Sequence, residues 1–345
     1  MTRMGTQKEI ARRAGVSVSV VSAVVNGTTH TRMSDETRAR VEAVIEELGY
    51  VPNDAARALR RQRSGTIAVV VEKIENPIYR DMFHGIYDAA EARGWAVVLG
   101  DARWMRSGSH FLARLLGHGS IDGIILRSEG LIDDEVLAHL RARPTPVILV
   151  EGRHGPDGRW LAIDDAAAGR VATQHLLDLG HQDIEFVGGE RWVPTLERHR
   201  GYADAMLDAG LEARDAIRTG YGSRAGAAAL QEVIDSGRRP TALVVDNVLS
   251  GIGIHAAAHE AGISIPGDLS VIAIHDADIA GDVRPALTTV RMPMAELGAR
   301  AVEAIAAILN DSPTRFGLVD EPAPVLITRA STAPLQVSPR PWSPS

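Results

Sequence analysis

The sequence predicts an α/β protein in two parts: a small helical head over residues 1–52, then a body whose parallel sheets are flanked by helices and divided into two lobes. Three observations carry this. The first 52 residues show apolar spacing of helical period broken by a glycine. From Thr66 onward, short β-rich runs alternate with amphipathic stretches, the pattern of parallel strands covered on both faces. Charge is also divided along the chain. Residues 1–63 hold 11 Lys+Arg against 7 Asp+Glu (net +4), and the rest hold 26 against 37 (net −11), giving the overall −7.

The head begins with Thr6, a residue type that caps helices, before Ile10, Ala11 and Ala14 at helical spacing. Gly15 permits a sharp left-handed turn. Ser17 can cap a second helix, for which Val16, Val20, Val21, Val24 and Val25 are available to pack. A helix, a short glycine turn and a second helix form the unit that lays its second helix in the major groove of DNA. After a polar loop, Ser34-Asp-Glu-Thr37 opens a third helix with Val41, Val44, Ile45 and Leu48 on one face. Gly49-Tyr50-Val51-Pro52 ends it, since the proline pushes Val51 toward an extended backbone. Asn53 can cap a short segment, Asp54 to Arg61, that belongs with a linker to residue 65. A basic head on an acidic body is the distribution that attraction to phosphate requires.

In the body, strands are predicted at Thr66–Val71, Ala96–Gly100, Gly123–Leu126, Val147–Val150, Ile184–Val187, Ala242–Val245 and Val271–Ile274. The stretch 66–332 is too long for one core, so two lobes follow. No internal repeat is visible in the letters. The last residues, 333–345, rich in proline and serine, read as disordered.

Several classes are excluded. No run approaches the ~18–20 apolar residues that span a bilayer, and the N-terminus has no apolar core of a signal peptide, so the expected compartment is the cytoplasm with no membrane partner. Zero cysteines exclude disulfides, thiolate metal sites and a cysteine nucleophile. No phosphate loop, nucleophile elbow or His-Glu-x-x-His is present, and no cofactor or metal is expected. His255 and His259 lie four apart without an evident third ligand.

AGVSVSVVSAVVNG, SDETRARVEAVIEELGYVPN and AARALR resemble, in order and spacing, the lactose-repressor/galactose-repressor family of bacterial transcription factors. The resemblance continues through TIAVVV, ENP, HLLDLGH, EAGISIP and PALTTV, over about residues 5–332. It implies a periplasmic-binding-protein-like body whose chain crosses between lobes near 162, 290 and 323. It also implies a homodimer on palindromic operator DNA, and a small-molecule effector, sugar-like, held between the lobes. Symmetry supports the dimer, because one small helical module makes few base contacts.

For the head, the resemblance places Val18, Ser19 and Ala23 at base edges. The family usually carries arginine where Ala23 stands, and alanine cannot grip guanine with two hydrogen bonds. Thr6, Ser17, Ser22, Thr37 and Arg38 are candidates for phosphate contacts, with Asn26, Asn53 and Ala56 also at the DNA. Asn53–Arg61 is too short to hold a helix alone, and the resemblance implies that it folds on DNA and wedges Leu59 into a minor-groove step.

Ligands of open α/β sheets sit beyond the carboxyl ends of strands. That rule marks Glu72 to Tyr79, Asp101, Arg127, Glu151, Trp192, Arg198, Asp246, Asn247, His275 and Asp276 as effector candidates. By resemblance, Tyr79 stacks on the effector and Arg198 grips its oxygens, while His275 replaces an aspartate that accepts from sugar hydroxyls. This predicts an effector more acidic than a plain hexose, or one with another hydroxyl pattern. The function expected is an effector-controlled transcriptional regulator, most simply a repressor. The alternative is a cytoplasmic sensor or sugar-processing enzyme with a vestigial head.

Overall fold

The computed structural model describes residues 6–25, 33–50, 63–115, 117, 120–127, 132, 134–151, 158–189 and 192–335. The chain divides into one unit up to Ser64 and another from Gly65. The candidates Asn26, Asn53, Ala56 and Leu59, and the Asn53–Arg61 segment, lie outside the described residues.

In the head, α1 (Gln7–Ala14) starts where Thr6 Oγ1 accepts from the Glu9 amide at 3.3 Å and ends at Gly15, φ 66°. The next helix, α2 (Val18–Val25), follows Ser17, whose hydroxyl accepts from the Val20 amide at 3.3 Å. Ser34 caps α3 (Asp35–Glu47) through the Thr37 amide. These caps satisfy donors that a helix start leaves open. Ile10, Ala11, Ala14, Val21, Val24 and Val41 form the core, with Val44, Ile45 and Leu48 half-buried at its margin. Arg40 Nε donates to the Ala14 carbonyl at 3.0 Å, tying α3 to the end of α1.

Among its described residues the body has twelve strands: β1 (Thr66–Val71), β2 (Ala96–Asp101), β3 (Gly123–Leu126), β4 (Val147–Val150), β5 (Trp160–Ile163), β6 (Ile184–Gly188), β7 (Ile217–Arg218), β8 (Ala242–Val245), β9 (Ser270–Ile274), β10 (Thr288–Arg291), β11 (Gly317–Val319) and β12 (Val325–Ile327). Lobe 1 has the order β11-β5-β4-β3-β1-β2, and lobe 2 the order β12-β10-β9-β8-β6-β7. Strand by strand the two orders correspond, a repeat that the letters do not display. All pairings are parallel except β10 with β12, an antiparallel edge. The chain passes from lobe 1 to lobe 2 between β5 and β6, returns after β10, and passes over again between β11 and β12.

The body's helices are α4 (Arg80–Glu91), α5 (His110–Leu115), α6 (Asp134–Arg141), α7 (Asp165–Asp178), α8 (Val193–Asp208), α9 (Ser223–Asp235), α10 (Val248–Glu260), α11 (Ile279–Asp282) and α12 (Met294–Leu309). Three pairs approach to backbone contact: α4 with α12, α7 with α8, and α9 with α10. A methyl added at Gly201 of α8 would sit 1.9 Å from the Ala166 carbonyl oxygen, and one at Gly169 of α7 would sit 2.0 Å from that of Arg198. Only glycine fits either crossing. No described helix is long and apolar enough to cross a membrane.

The predicted disordered tail begins too early. The Ala333 amide donates to Ser270 Oγ at 3.2 Å, and the Leu335 amide donates to the Leu179 carbonyl at 2.9 Å. Backbone partners on lobe 2 thus hold residues 333–335; residues 336–345 lie outside the described set.

Candidate functional site

On the head, the start of α2 turns its side chains outward. Ser17, Val18 and Ser19 are exposed, Val18 at 42%, and Ser17 Oγ lies 3.2 Å from Ser19 Oγ. Leaving a valine at that exposure forgoes burial of an apolar side chain, so packing does not explain Val18. Thr6 is exposed; Ser22, Thr37 and Arg38 are half-buried. Ala23 differs from the expectation: at 4% exposure it is packed inside the head rather than exposed beside Val18 and Ser19. The spacing that aligns Ala23 with a base reader also places it on the inward face of α2.

In the body, the carboxyl ends of equivalent strands carry the polar residues of two buried clusters. In lobe 1, Arg127 follows β3, Glu151 follows β4, and Tyr79 ends the short turn Pro77–Tyr79 beyond β1. Arg127 Nε donates to Glu151 Oε2, and its Nη1 donates to the Tyr79 hydroxyl. All three are buried, and Glu151 Oε1 has no hydrogen-bond partner among the described residues. Glu151 holds φ 60°, the left-handed region that non-glycine residues occupy at a cost.

In lobe 2, Arg198 on α8 is buried beside Asp165, the first residue of α7. Its Nε donates to Asp165 Oδ1 at 2.8 Å, its Nη1 to the Asp246 carbonyl at 2.7 Å, and its Nη2 lies 2.9 Å from His275 Nε2. Asp246, after β8, accepts from the Gly189 amide at 2.8 Å and from Thr195 Oγ1 at 3.1 Å. Burial pushes the Asp165 and Asp246 carboxyls up, and Arg198 pulls both the other way. Burial also opposes the Arg198 charge, but Asp165, Asp246 and Glu151 together raise its pKa. That influence of Glu151 carries across from lobe 1.

Asp165 and Thr195 bond to residues of these clusters and Tyr221 bonds to Asn76, and strand-end reasoning did not mark these three. Tyr221 accepts from Asn76 Nδ2 at 2.9 Å, a bond from lobe 1 to lobe 2, and burial pushes its hydroxyl up to about 12. Half-buried Trp192 stands against it, ring centroids 6.1 Å apart. Tyr221 follows a strand of two residues, β7, too short to be found from sequence. The neighbouring Asp164–Asp165 pair at a helix start was the available signal for Asp165.

Three effector candidates have other duties. Asn247 is a fully buried cap of α10: its Oδ1 accepts from the Ser250 amide, and its Nδ2 donates to Asp246 Oδ1 and Ser250 Oγ. These bonds engage both ends of its amide in capping and in holding Asp246. Asp276 is held by Thr289, Arg291 and Arg329. The Asp101 carboxylate is occupied by Arg103, with the Arg103 and Ile74 amides, which hold it below the usual range.

The fold and these clusters define a class: a helix-turn-helix head on a two-lobed binding body whose strand ends face one cleft. Known proteins match that description. The family model for bacterial regulatory proteins, lacI family, matches residues 6–53, and that for a periplasmic binding protein-like domain matches 173–332. Catabolite control protein A of Priestia megaterium is 31% identical over 320 residues, covering 91% of this chain and 95% of that protein. The regulator CelR, solved as its cellobiose complex, is 27% identical with TM-score 0.68, covering 95% of this chain and 99% of that one. The lac repressor dimer bound to operator and the anti-inducer ONPF shares the fold, with TM-score 0.76 at 23% identity over 96% of this chain and 100% of that one. The chain belongs to the lacI family of bacterial regulatory proteins, and its function is DNA-binding transcriptional regulation.

Proposed function

We propose that this protein is a cytoplasmic homodimeric repressor, without enzymatic activity, that binds a palindromic operator through its heads and changes operator affinity when a sugar-like effector enters the body's cleft. The observation that carries the reading is the pairing of an outward-facing α2 start with the buried Arg127 and Arg198 clusters. Each cluster ends strands of a different lobe, so a ligand touching both would set the angle between lobes. Differential affinity for open and closed lobes is the only means by which a ligand shifts such an equilibrium.

In the head, Val18 and Ser19 would read bases, and Thr6, Ser17, Ser22, Thr37 and Arg38 would meet phosphates. Residues 53–65 would form the hinge, with Leu59 inserted in the minor groove as the heads dock. The face of α4 serves as our dimer contact; Tyr87 on it is 42% exposed. Relatives with bound operator or cellobiose support both halves of the reading.

The test is fluorescence anisotropy of the full chain against upstream intergenic DNA, across salt and a pool of sugars. Saturable binding that weakens steeply with salt, is lost in Leu59→Ala, and shifts with a sugar is expected. Binding no tighter than to random DNA would sink the repressor reading.

A further inference from the structure

Resting on the effector reading of the cleft, a more specific demand can be read from two backbone positions that correspond in the two lobes. Glu151 directly follows β4 and His275 directly follows β9, strands of equivalent place in the two sheet orders. Both are non-glycine residues of positive φ, 60° and 66°, and both are almost fully buried. Each receives an arginine of its own lobe: Arg127 at Glu151 Oε2, Arg198 at His275 Nε2.

The consequence differs on the two sides because a guanidinium only donates. His275 Nε2, 2.9 Å from Arg198 Nη2, must offer a lone pair, so the neutral ring carries its proton on Nδ1. A second ring proton would face Arg198. The groups acting on the ring are burial first, then Arg198 and Arg127, and all three hold its pKa well below the ordinary histidine value. Glu151 keeps the opposite character: Oε1 is a buried acceptor without a hydrogen-bond partner among the described residues.

We infer that His275 is a specificity-determining residue, locked by Arg198 as an Nδ1–H donor, so that the cleft offers a donor from lobe 2 and an acceptor from Glu151 of lobe 1 to an uncharged polyol. A hydroxyl group can accept from a donor such as His275 Nδ1–H and can give its hydrogen to an acceptor such as a carboxylate oxygen of Glu151. A phosphate or ionised carboxylate has no hydrogen for Glu151 and meets the carboxylates of Glu151, Asp165 and Asp246, while Arg127 and Arg198 are already engaged by side chains of the cleft. The expectation of a more acidic effector therefore reverses.

Two measurements on the full-length protein test this. Long-range 15N–1H correlation spectra of histidine-labelled protein, with His275 assigned among the twelve histidines by His275→Asn, should show the Nδ1–H tautomer unchanged from about pH 5.5 to 8. An Nε2–H tautomer, or titration in that interval, overturns the lock. The second measurement is the anisotropy of the operator complex titrated with glucose, ribose and cellobiose, with glucose 6-phosphate, ribose 5-phosphate and glucuronate alongside. An uncharged member should act at a concentration at least about tenfold below its acidic counterpart, and His275→Asp should respond at least about tenfold more weakly than wild type. A phosphate or uronate acting more strongly than its parent sugar overturns the inference and leaves the effector reading standing. Operator binding that no member alters overturns both. If His275→Asp fails to fold, the tautomer measurement decides.

Discussion

Arg127 in lobe 1 and Arg198 in lobe 2 are both buried at the floor of the cleft, yet they are held differently. Arg127 is bonded to Glu151 and to Tyr79, and one oxygen of that glutamate is left without a hydrogen-bond partner among the described residues. Arg198 is bonded to a carboxylate of α7, a backbone carbonyl after β8 and an imidazole after β9, so three elements converge on one guanidinium. The same sheet order thus supports one preorganised jaw and one jaw with an acceptor to spare. Where polar groups are already matched, a ligand adds orientation; where one is unmatched, it adds a bond that the protein lacks.

Charge removal should break the comparison most strongly. Arg198→Met strands Asp165 in a buried position and should cost about 3–5 kcal/mol in urea denaturation. Arg127→Met should cost less, because Arg198 holds together a helix start, a loop carbonyl after β8 and an imidazole after β9. Equal losses would show that convergence on Arg198 carries no added stability.

The next effect is steric. Gly169→Ala places a methyl 2.0 Å from the Arg198 carbonyl oxygen, and Gly85→Ala places one 1.9 Å from that of Ala295. Each should destabilise by about 1–3 kcal/mol, the usual cost of overpacking. Only the first pushes on the backbone of Arg198, so only Gly169→Ala should also weaken the effector response in calorimetry. The same weakening in both variants would mean that the lobe 2 jaw depends on overall stability rather than on local placement.

Acid should separate the lobes as well. His175, His181 and His255 in lobe 2 all have pKa values lowered by burial first, so the folded state binds their protons less readily than the unfolded one. Their neutral forms suit the fold above the unfolded histidine value of about 6.5, and stability falls as pH drops through it toward the lowered folded values. Hydrogen exchange, corrected for intrinsic rate, should therefore loosen lobe 2 before lobe 1 between about pH 7.5 and 5.5. Uniform loosening would remove these histidines as the cause.

How much of this was legible in the sequence depended on local signal. Seven strands, from Thr66–Val71 to the one ending at Ile274, were found because apolar β-rich runs mark buried parallel strands. Trp160–Ile163 was missed, as was Thr288–Arg291, whose TTVR holds a single apolar residue, and β7, β11 and β12 are too short to differ from loops. Strand-end logic marked both arginines, Tyr79, Glu151, Asp246 and His275, which the structure gathers in the two buried clusters. It could not find Asp165 or Tyr221, which reach the cleft from a helix start and a turn. Nor could it see that Asn247 spends its amide on a cap, or that Ala23 faces inward, because both depend on which neighbour arrives.

The smallest predicted effect concerns the seam where the lobes meet. Asn76 of lobe 1 donates to the Tyr221 hydroxyl at 2.9 Å, and Lys73 of lobe 1 stands 5.8 Å from the centre of the same ring. Tyr221→Phe keeps the ring, so it keeps the cation–ring contact and the stacking with Trp192, but removes the acceptor for Asn76. The expected loss is one net hydrogen bond, about 0.5–1.5 kcal/mol. A part of that loss falls on the closed arrangement alone, because the bond joins the lobes, so small-angle scattering of the ligand-free protein should show a slightly larger radius than wild type. Tyr221→Leu removes the ring as well and should open the lobes further, the cation–ring attraction adding about 0.5–1 kcal/mol. If Phe behaves as wild type and Leu does not, the seam is held by the ring and not by Asn76. If neither changes the radius, the two jaws are held together by their own floors, and the comparison of Arg127 with Arg198 would have to explain closure by itself.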